Sequence, residues 1–274
     1  MIIDSFPFFQ EIDLLKVRLQ YLGSFVDKFI ISESDVDFSG TPKDFVLNQS
    51  LVKDLPFSNK VEIVHNCLGK SSDLFLYYLA KKIRWRFPLW KIQRTQRNSI
   101  QKILKQISPT GIFLFGDLDE FPDIDILTKR IQDLTFEKSR IFSLTQKSRV
   151  YDLRTMDGNG IWRGSVLCKL GYAQKKTPDR LRKMRKNANT IECGWHFSYF
   201  GNESDIKKKI SSISEVEKYY NLNLESDGIQ QRLKKKINPF SNNEDLPKVI
   251  DLNDYPENLL LSFEQHMPYA MHKI

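Results

Sequence analysis

The sequence predicts an α/β fold, in which a central sheet is built from strands that alternate with helices. Apolar segments that favour strands lie at residues 1–9, 26–34, 60–66 and 112–115. Segments with helical spacing separate the first strand from the second and the third from the fourth. This order of strand, helix, strand, strand, helix, strand is typical of α/β sheets with crossover helices. The fourth segment, IFLF, has no polar alternation, which indicates a strand buried on both faces.

The first predicted helix, at residues 11–22, has one apolar face, formed by Ile12, Leu15, Leu19 and Leu22. A longer helical segment at 71–107 is interrupted by Pro88, and Pro109 and Gly111 end it. In α/β sheets, ligands bind beyond the carboxyl ends of the strands. We therefore expect a site where the segments ISES and GDLDE end their strands.

The second half of the chain predicts a more β-rich arrangement. Residues 141–153 and 161–170 are predicted strands, and the tetrapeptide DGNG at 157–160 predicts the tight turn of a hairpin between them. A further strand is expected at 194–200, followed by a helix whose N-terminus Ser204 can cap. Neither an internal repeat nor a linker divides the sequence.

The chain carries a formal net charge of +8, which favours an anionic partner such as a nucleotide, a phosphorylated glycan, a nucleic acid or a membrane surface. The basic residues cluster late in the sequence, at 175–186 and in Lys triplets at 207–209 and 234–236. Each triplet lies in a helical pattern, so we expect both triplets to form solvated helix faces. The three cysteines are far apart and show no metal-binding spacing.

The N-terminal residues MIIDSFPFFQEIDLL lack the basic region of a signal peptide and carry acidic residues early. No window reaches the roughly 18 uninterrupted apolar residues that a membrane span needs. These features predict a cytoplasmic location. Contact with a membrane surface through the basic residues is a further expectation.

The most informative segment is GDLDE, in which Asp117, Asp119 and Glu120 follow the buried strand IFLF. Carboxylates this close raise one another's pKa unless a positive group balances them. Since side chains alternate along an extended chain, we expect Asp117 and Asp119 on one side and Glu120 on the other. Two carboxylates on one side suit Mg²⁺ or Mn²⁺ bound to a nucleotide diphosphate. A solvated acidic turn after the strand is the alternative.

Five segments form a joint pattern in order along residues 3–215: FFQEIDLLKVRLQYL, VDKFIISESDVDFSGTPK, QRTQRNSI, GDLDEFPD and GWHFSYFG. Together they resemble glycosyltransferase family 17. The resemblance implies a GT-A-like single domain over residues 1–274, with a mixed central sheet and flanking helices. It also implies a Rossmann-like nucleotide-binding half at 1–125, an acceptor-binding half at 126–274, a nucleotide-sugar donor, a Mn²⁺ or Mg²⁺ ion and inversion at the anomeric carbon.

The resemblance assigns roles to polar residues at the strand ends. Asp117 and Asp119 are the predicted residues for the metal and the donor diphosphate, with Asp119 as the more direct metal ligand. His196 in GWHFS is predicted to be a third metal ligand or a diphosphate contact, with a core position as the alternative. Glu33 and Ser34 end the second strand, where a GT-A-like enzyme holds the nucleoside, and a loop-capping role for Glu33 is the alternative.

Arginines supply the remaining predicted donor contacts. Arg97 lies in a predicted helix and can bind a diphosphate through two hydrogen bonds, with a solvated helix face as the alternative. Arg182 lies with Arg180 and Arg185 in a basic loop before GWHF. We expect this loop to close over the phosphates and to exclude water from them.

An inverting transfer needs a base that takes the proton of the acceptor hydroxyl. Glu120, Asp152 and Glu203 are acids near predicted strand ends, and Glu120 is preferred because it adjoins the predicted metal and points away from it. The predicted function is a single displacement that moves a sugar from a UDP-sugar donor to a hydroxyl of a glycan or glycoconjugate. The sugar expected is GlcNAc, from UDP-GlcNAc.

Two other functions remain as alternatives. A nucleic-acid-binding protein would match the net charge of +8. Such a protein would need a basic face without acidic residues at its centre, and no nucleic-acid-binding motif is found in the sequence. A Mg²⁺-dependent nucleotidyltransferase would also use paired acids, but it would normally carry a phosphate-binding loop near the first strand, which MIIDSFPFFQE lacks. We therefore expect no nucleic-acid partner.

Overall fold

The computed structural model of the 274-residue chain describes residues 1–68, 90–133, 136, 139–201, 203–212, 235 and 248–271. The helical segment predicted at 71–107 is therefore described from residue 90 onward, and the Lys triplet at 234–236 lies outside the described residues apart from residue 235. Within these ranges, no helix has the length and apolar character that crossing a membrane requires.

One mixed sheet forms the centre of the fold. Its strands are β1 (Ile2–Phe8), β2 (Lys28–Ser34), β3 (Val61–Asn66), β4 (Ile112–Phe115), β5 (Glu120–Phe121), β6 (Ile141–Val150), β7 (Thr155–Lys169), β8 (Asn189–Ser198) and β9 (Lys248–Val249). They lie in the order β3-β2-β1-β4-β7-β6-β8-β5, with β9 paired to β7. The pairs among β1 to β4 are parallel, β7 is antiparallel to β4 and β6, and β6 and β8 are parallel.

Helices connect the strands and cover the sheet. They are α1 (Ile12–Leu22), α2 (Gln49–Lys53), α3 (Trp90–Ser99), α4 (Gln101–Leu104), α5 (Ile124–Asp133), α6 (Leu170–Ala173), α7 (Pro178–Met184), α8 (Glu203–Ser212) and α9 (Glu257–His266). Short 3₁₀ turns lie at Ser58–Lys60, Arg185–Asn187, Leu252–Asp254 and Pro268–Ala270. Helix α1 crosses from β1 to the parallel strand β2, so the predicted α/β arrangement is confirmed.

Apolar side chains are buried on both faces of the sheet. Phe6 and Phe8 of β1 belong to a core that includes residues of α1 and α9. Ile3 of the same strand belongs to a second core with Phe113 and Phe115 of β4. This alternation follows from the two-residue repeat of a strand. The strand IFLF is buried on both faces, as predicted. Because the body of the sheet is apolar, the polar groups of the site lie beyond it, at the carboxyl ends of the parallel strands.

The predicted hairpin is confirmed, since β6 and β7 are antiparallel neighbours, but its predicted turn at DGNG (157–160) is wrong. Strand β7 already begins at Thr155, so the tetrapeptide lies inside the strand and the chain reverses direction over residues 151–154. Asp152 Oδ1 stabilises the observed turn, because it accepts hydrogen bonds from the backbone N of Arg154 at 2.9 Å and the hydroxyl of Thr155 at 2.8 Å. The register between β6 and β7 shifts opposite DGNG, whose glycines form a bulged part of the strand.

Candidate active site

The acidic segment forms a turn at the carboxyl end of β4. The backbone N of Glu120 donates to the carbonyl oxygen of Asp117 at 3.1 Å, which closes a turn over residues 117–120, called the acidic turn below. Side chains in a turn do not alternate, so the predicted orientation is wrong. Asp117 and Glu120 share the partner Arg182, whereas Asp119 contacts a different element.

A buried ion pair holds the acidic turn in place. Arg18 of α1 binds Asp4 of β1 through two hydrogen bonds of 2.8 Å, and both side chains are fully buried. Nη1 of Arg18 also donates to the carbonyl oxygens of Leu118 at 3.1 Å and Glu120 at 2.6 Å. Helix α1 thus fixes the backbone of the turn, and the carboxylates remain available to other partners.

Glu120 is fully buried, and both of its carboxylate oxygens accept hydrogen bonds. Oε1 accepts from the indole N of Trp162 at 2.8 Å and from Nη2 of Arg182 at 2.7 Å. Oε2 accepts from Nη1 of Arg182 at 2.9 Å, the hydroxyl of Ser165 at 3.0 Å and the backbone N of Asp117 at 3.1 Å. Burial alone would raise the pKa of Glu120, but the charge and hydrogen bonds of Arg182 lower it below its ordinary value.

Gly116 makes this close arrangement possible. A Cβ atom at this position would lie 2.0 Å from Oγ of Ser165 and 2.6 Å from Oε2 of Glu120. Both distances are far below van der Waals contact. The residue that joins β4 to the acidic turn therefore has to be glycine if Glu120 is to fold back against β7.

Asp117 lies between two arginines and keeps 30% of its side chain exposed. Nη2 of Arg97 in α3 donates to Oδ1 at 3.0 Å, and Nη2 of Arg182 in α7 donates to Oδ2. Burial would raise the pKa of Asp117, but the charges of Arg182 and Arg97 lower it. The structure therefore brings together three residues that the sequence predicted for donor binding.

Arg97, Arg182 and Arg185 form an arginine cluster around the acidic turn. Nε of Arg97 and Nη1 of Arg185 are buried and have no hydrogen-bond partner among the described residues. The guanidinium carbon of Arg185 lies 5.6 Å from the ring centre of Trp162. Burial and the positive charge of Arg182 lower the pKa of Arg185, which indicates that an anion would be favoured at this position.

Asp119 faces Lys209 of α8 rather than the arginine cluster. Nζ of Lys209 donates to Oδ2 of Asp119 at 2.9 Å and lies 3.1 Å from Oε1 of Glu11. Nε2 of His196 lies 3.7 Å from Oδ1 of Asp119, and the imidazole ring stacks on Trp162 with ring centres 4.4 Å apart. Burial alone would lower the pKa of Lys209, but Asp119 and Glu11 raise it, so the ammonium group is charged.

A cavity of about 190 Å³ adjoins the Lys209 contact through Glu11. Its polar lining consists of Gln10, Glu11, Asp13 and Asp205, and its apolar lining includes Phe200, Met267 and Tyr269. The side-chain N and O of Gln10 are buried and have no hydrogen-bond partner among the described residues. The cavity therefore combines carboxylates, an amide and aromatic rings beside the acidic turn.

The residues predicted to bind Mn²⁺ or Mg²⁺ do not form a metal site in this arrangement. Asp117 is bound to arginines, Asp119 is bound to Lys209, and His196 is stacked on Trp162. In the part of the chain that the structure describes, no three His, Cys, Asp or Glu side chains are grouped so that they could hold a metal ion. Arginine and lysine side chains supply the positive charge that the sequence led us to expect from a divalent ion.

The geometry also opposes Glu120 as the catalytic base. A base needs a lone pair that can reach the acceptor hydroxyl and a pKa suited to proton transfer. Both oxygens of Glu120 are occupied, so this carboxylate positions Arg182 instead. The alternative acid Asp152 stabilises the turn before β7, and the side chain of Glu203 lies outside the described residues.

Glu33 and Ser34, at the end of β2, are buried, and Glu33 holds the loop that follows. Its Oε1 accepts from Nζ of Lys43 at 2.6 Å and the backbone N of Val46 at 2.8 Å, and its Oε2 accepts from the backbone N of Leu47 at 3.0 Å. Among the described residues, no hydrogen bond joins Glu33 to the acidic turn. The donor-binding role of Glu33 and Ser34 stays a prediction.

Four residues of the site were missed by the sequence analysis: Arg18, Trp162, Ser165 and Lys209. The signal for Arg18 was present, since it lies on the apolar face of α1 three residues after Leu15, and Asp4 interrupts an apolar strand. Trp162 and Ser165 carried no comparable signal, because they lie on β7, more than forty residues after the acidic turn in the sequence. The Lys triplet at 207–209 was predicted to be solvated, which is wrong for Lys209.

The sheet and its acidic turn define a class of protein, a GT-A-like α/β fold with a charged site at the carboxyl end of β4. The chain belongs to glycosyltransferase family 17, whose model, described as "Glycosyltransferase family 17", matches residues 1–250. The predicted family and fold class are therefore confirmed. A comparison with curated proteins found no match. The division into halves at residue 125 stays a prediction.

The solved structures that match this chain have low identity and low TM-scores. The galactosyltransferase LgtC, in complex with donor and acceptor sugar analogues, is 9% identical with a TM-score of 0.34, covering 69% of this chain and 66% of that chain. Residues 1–349 of S. aureus TarS are 12% identical with a TM-score of 0.40, covering 72% and 60%. A 4-diphosphocytidyl-2C-methyl-D-erythritol synthase is 12% identical with a TM-score of 0.38, covering 70% and 88%. The chain thus spans just under two thirds of the LgtC chain.

Proposed function

We propose that this protein transfers a sugar from a nucleotide-sugar donor to a hydroxyl group of a glycan, with inversion at the anomeric carbon. The observation that carries the proposal is the arginine cluster at the end of β4, two of whose buried guanidinium nitrogens have no partner among the described residues. Membership of glycosyltransferase family 17 supports sugar transfer as the reaction. The donor expected from the resemblance is UDP-GlcNAc.

The arginine cluster suits the diphosphate of such a donor. Guanidinium groups bind phosphates through pairs of hydrogen bonds and remain charged at any physiological pH. Arg97 and Arg185 each have a donor nitrogen without a partner in the described part of the chain, whereas Arg182 is fixed by its two bonds to Glu120. A fixed cation beside two available donors is preorganised for an anion, which limits the reorganisation needed on binding.

The proposed reaction is a single displacement. The acceptor oxygen attacks the anomeric carbon and forms the new glycosidic bond, while the bond from that carbon to the diphosphate oxygen breaks. The leaving diphosphate takes the electron pair, and the arginine cluster stabilises the charge that develops on it. The acceptor proton passes to a base on the acceptor side of the reacting carbon.

The cavity beside Glu11 is the proposed acceptor site. Glu11, Asp13 and Asp205 in its lining would repel phosphates but can accept hydrogen bonds from sugar hydroxyl groups. Phe200 and Tyr269 offer aromatic surface for a sugar ring. Both oxygens of Glu11 are engaged, by Lys209 and the backbone N of Gln10, so we look for the base at Asp13 or Asp205 rather than at Glu120 or Glu11.

No step of this proposal depends on a metal ion, because the side chains predicted as ligands are bound to lysine and arginine or stacked on Trp162. The predicted Mn²⁺ or Mg²⁺ requirement is therefore not carried into the mechanism. Contact with a membrane surface and the cytoplasmic location stay predictions from the sequence.

A thermal-shift screen tests the proposed function. Ligands that bind the native state raise its melting temperature. At a concentration of 100 times its Kd, a ligand stabilises the native state by about 2.7 kcal/mol. We expect UDP and UDP-GlcNAc to raise the melting temperature by several degrees, UMP to raise it less because it lacks the second phosphate, and a single-stranded RNA oligonucleotide to have no comparable effect. Stabilisation by RNA alone would contradict the proposal and favour a nucleic-acid-binding protein. A product assay with labelled UDP-GlcNAc and a mixture of glycans then tests transfer itself.

A further inference from the structure

The ammonium group of Lys209 lies between two carboxylates at the end of β4. Its Nζ is 2.9 Å from Oδ2 of Asp119 and 3.1 Å from Oε1 of Glu11, and only 19% of its side chain is exposed. The ring centre of Tyr199 lies 5.8 Å from the same nitrogen. Three separate elements therefore hold this cation: the acidic turn, the start of α1 and the end of β8.

The backbone between β8 and α8 supports this placement. Tyr199 directly follows β8 and has a φ of 56°, a left-handed conformation that is uncommon for a residue other than glycine. Helix α8 begins four residues later and contributes Lys209 to Asp119. A strained residue that precedes such a contact is often maintained because the surrounding structure requires it.

Asp119 is the carboxylate that the sequence assigned most directly to a divalent ion. Lys209 therefore occupies the position beside Asp119 where that ion was predicted to bind. A Mg²⁺ ion binds a carboxylate oxygen at about 2.0–2.1 Å. An ammonium group in hydrogen-bond contact with the same oxygen leaves no room for that ion and would repel it. Lys209 and a divalent ion therefore exclude each other at Oδ2 of Asp119.

We propose that Lys209 is the built-in cation of the donor site, in the place that a divalent metal ion would otherwise take. Its positive charge would act on the donor diphosphate from the Asp119 end of the acidic turn, and donor binding would need no metal. This inference rests on the proposed function for the identity of the ligand. The exclusion of metal from Asp119 is a separate claim about the chain itself.

The first test measures Mn²⁺ binding without any nucleotide, by electron paramagnetic resonance. We expect no tight Mn²⁺ site in the wild type. Lys209→Met removes the ammonium group and leaves Asp119 and Glu11 unpaired, so this variant should bind Mn²⁺ at least about tenfold more tightly than the wild type. The double variant Lys209→Met/Asp119→Asn should lose the gain, and Lys209→Arg should behave like the wild type. Equal Mn²⁺ binding by the wild type and Lys209→Met would overturn the inference.

The second test needs no variant and therefore does not depend on the folding of Lys209→Met. UDP is titrated into the wild type by calorimetry, once with EDTA and once with Mn²⁺. Equal Kd values in the two buffers support a built-in cation, and a Kd at least about tenfold weaker in EDTA overturns it. If UDP binds in neither buffer, the proposed function fails, and the Mn²⁺ titration still decides whether Lys209 excludes the metal.

Discussion

Glu120 and Arg182 form a buried pair in which each oxygen of the carboxylate accepts a hydrogen bond from the guanidinium group, at 2.7 and 2.9 Å. Both residues are at least 95% buried, and Arg182 extends from this pair to Asp117. The pair connects α7 to the acidic turn. The position of the arginine cluster, and with it the proposed diphosphate site, therefore depends on Glu120.

The first prediction concerns the stability of this pair. Removal of one partner of a buried ion pair leaves an uncompensated charge and costs about 3–5 kcal/mol. We expect Arg182→Met to lower the free energy of unfolding by that amount, measured by urea denaturation at pH 7. The double variant Arg182→Met/Glu120→Gln should be more stable than Arg182→Met, because it leaves no charged carboxylate at Glu120. A double variant that is less stable than Arg182→Met would contradict the assignment.

The second prediction concerns acid pH. The folded protein holds the pKa of Glu120 below its unfolded value, which is about 4.3. The unfolded state therefore binds more protons in acid, so the stabilisation is complete above about pH 5 and is lost as the pH falls further. The melting temperature of the wild type should fall more steeply from pH 5 to pH 3 than that of Glu120→Gln. Asp117→Asn should flatten the curve less, because Asp117 is 30% exposed. If melting temperature fell in parallel with pH in all three proteins, protonation of Glu120 and Asp117 would not be the cause of the acid destabilisation.

The third prediction separates donor binding from folding. Arg185 has a free buried nitrogen, so Arg185→Gln removes a charge-assisted contact to the diphosphate without breaking a hydrogen bond seen in the described structure. A hydrogen bond to a charged group contributes about 1.5–3 kcal/mol, so the Kd for UDP should rise about 10- to 100-fold, measured by calorimetry.

Arg180 provides the matched control for Arg185. It lies in the same basic segment, on α7, but its side chain is exposed. Arg180→Gln should bind UDP like the wild type, and both variants should melt within a few degrees of it. An equal loss of UDP affinity in the two variants would point to general electrostatic attraction rather than to a built site.

The fourth prediction tests the acceptor cavity. Tyr269→Ala removes an aromatic wall of the cavity and leaves the arginine cluster intact. We expect KM for the glycan acceptor to rise about tenfold, at an unchanged Kd for UDP, because aromatic contacts of this kind contribute about 1 kcal/mol or more. Leu261→Ala is the control, since Leu261 is 55% exposed on α9. If Tyr269→Ala changed the Kd for UDP and left the acceptor KM unaltered, the cavity would belong to the donor.

The sequence predicted the part of the fold that local pattern determines. Continuous apolar runs identified β1 and β4, and helical spacing identified α1. The turn before β7 was misplaced because DGNG is a strong turn signal. The local bonds of Asp152 to Arg154 and Thr155 determine where the chain reverses.

The sequence also identified the acidic segment GDLDE and the need for positive charge beside it, but it predicted an extended conformation and a metal ion as the source of that charge. Arg97 and Arg182 were predicted to bind the donor diphosphate, and the structure brings both to Asp117. The contact of Lys209 with Asp119 joins residues ninety positions apart, and no local pattern encodes such a pairing. A lysine in a triplet has the same sequence signal whether it is solvated or buried.

The most direct test of the account is a crystal structure of the wild-type protein in complex with UDP. The account predicts the diphosphate within hydrogen-bond distance of Nε of Arg97 and Nη1 of Arg185, at the carboxyl end of β4. A UDP molecule bound elsewhere, with both of these nitrogens still lacking a ligand contact, would contradict it.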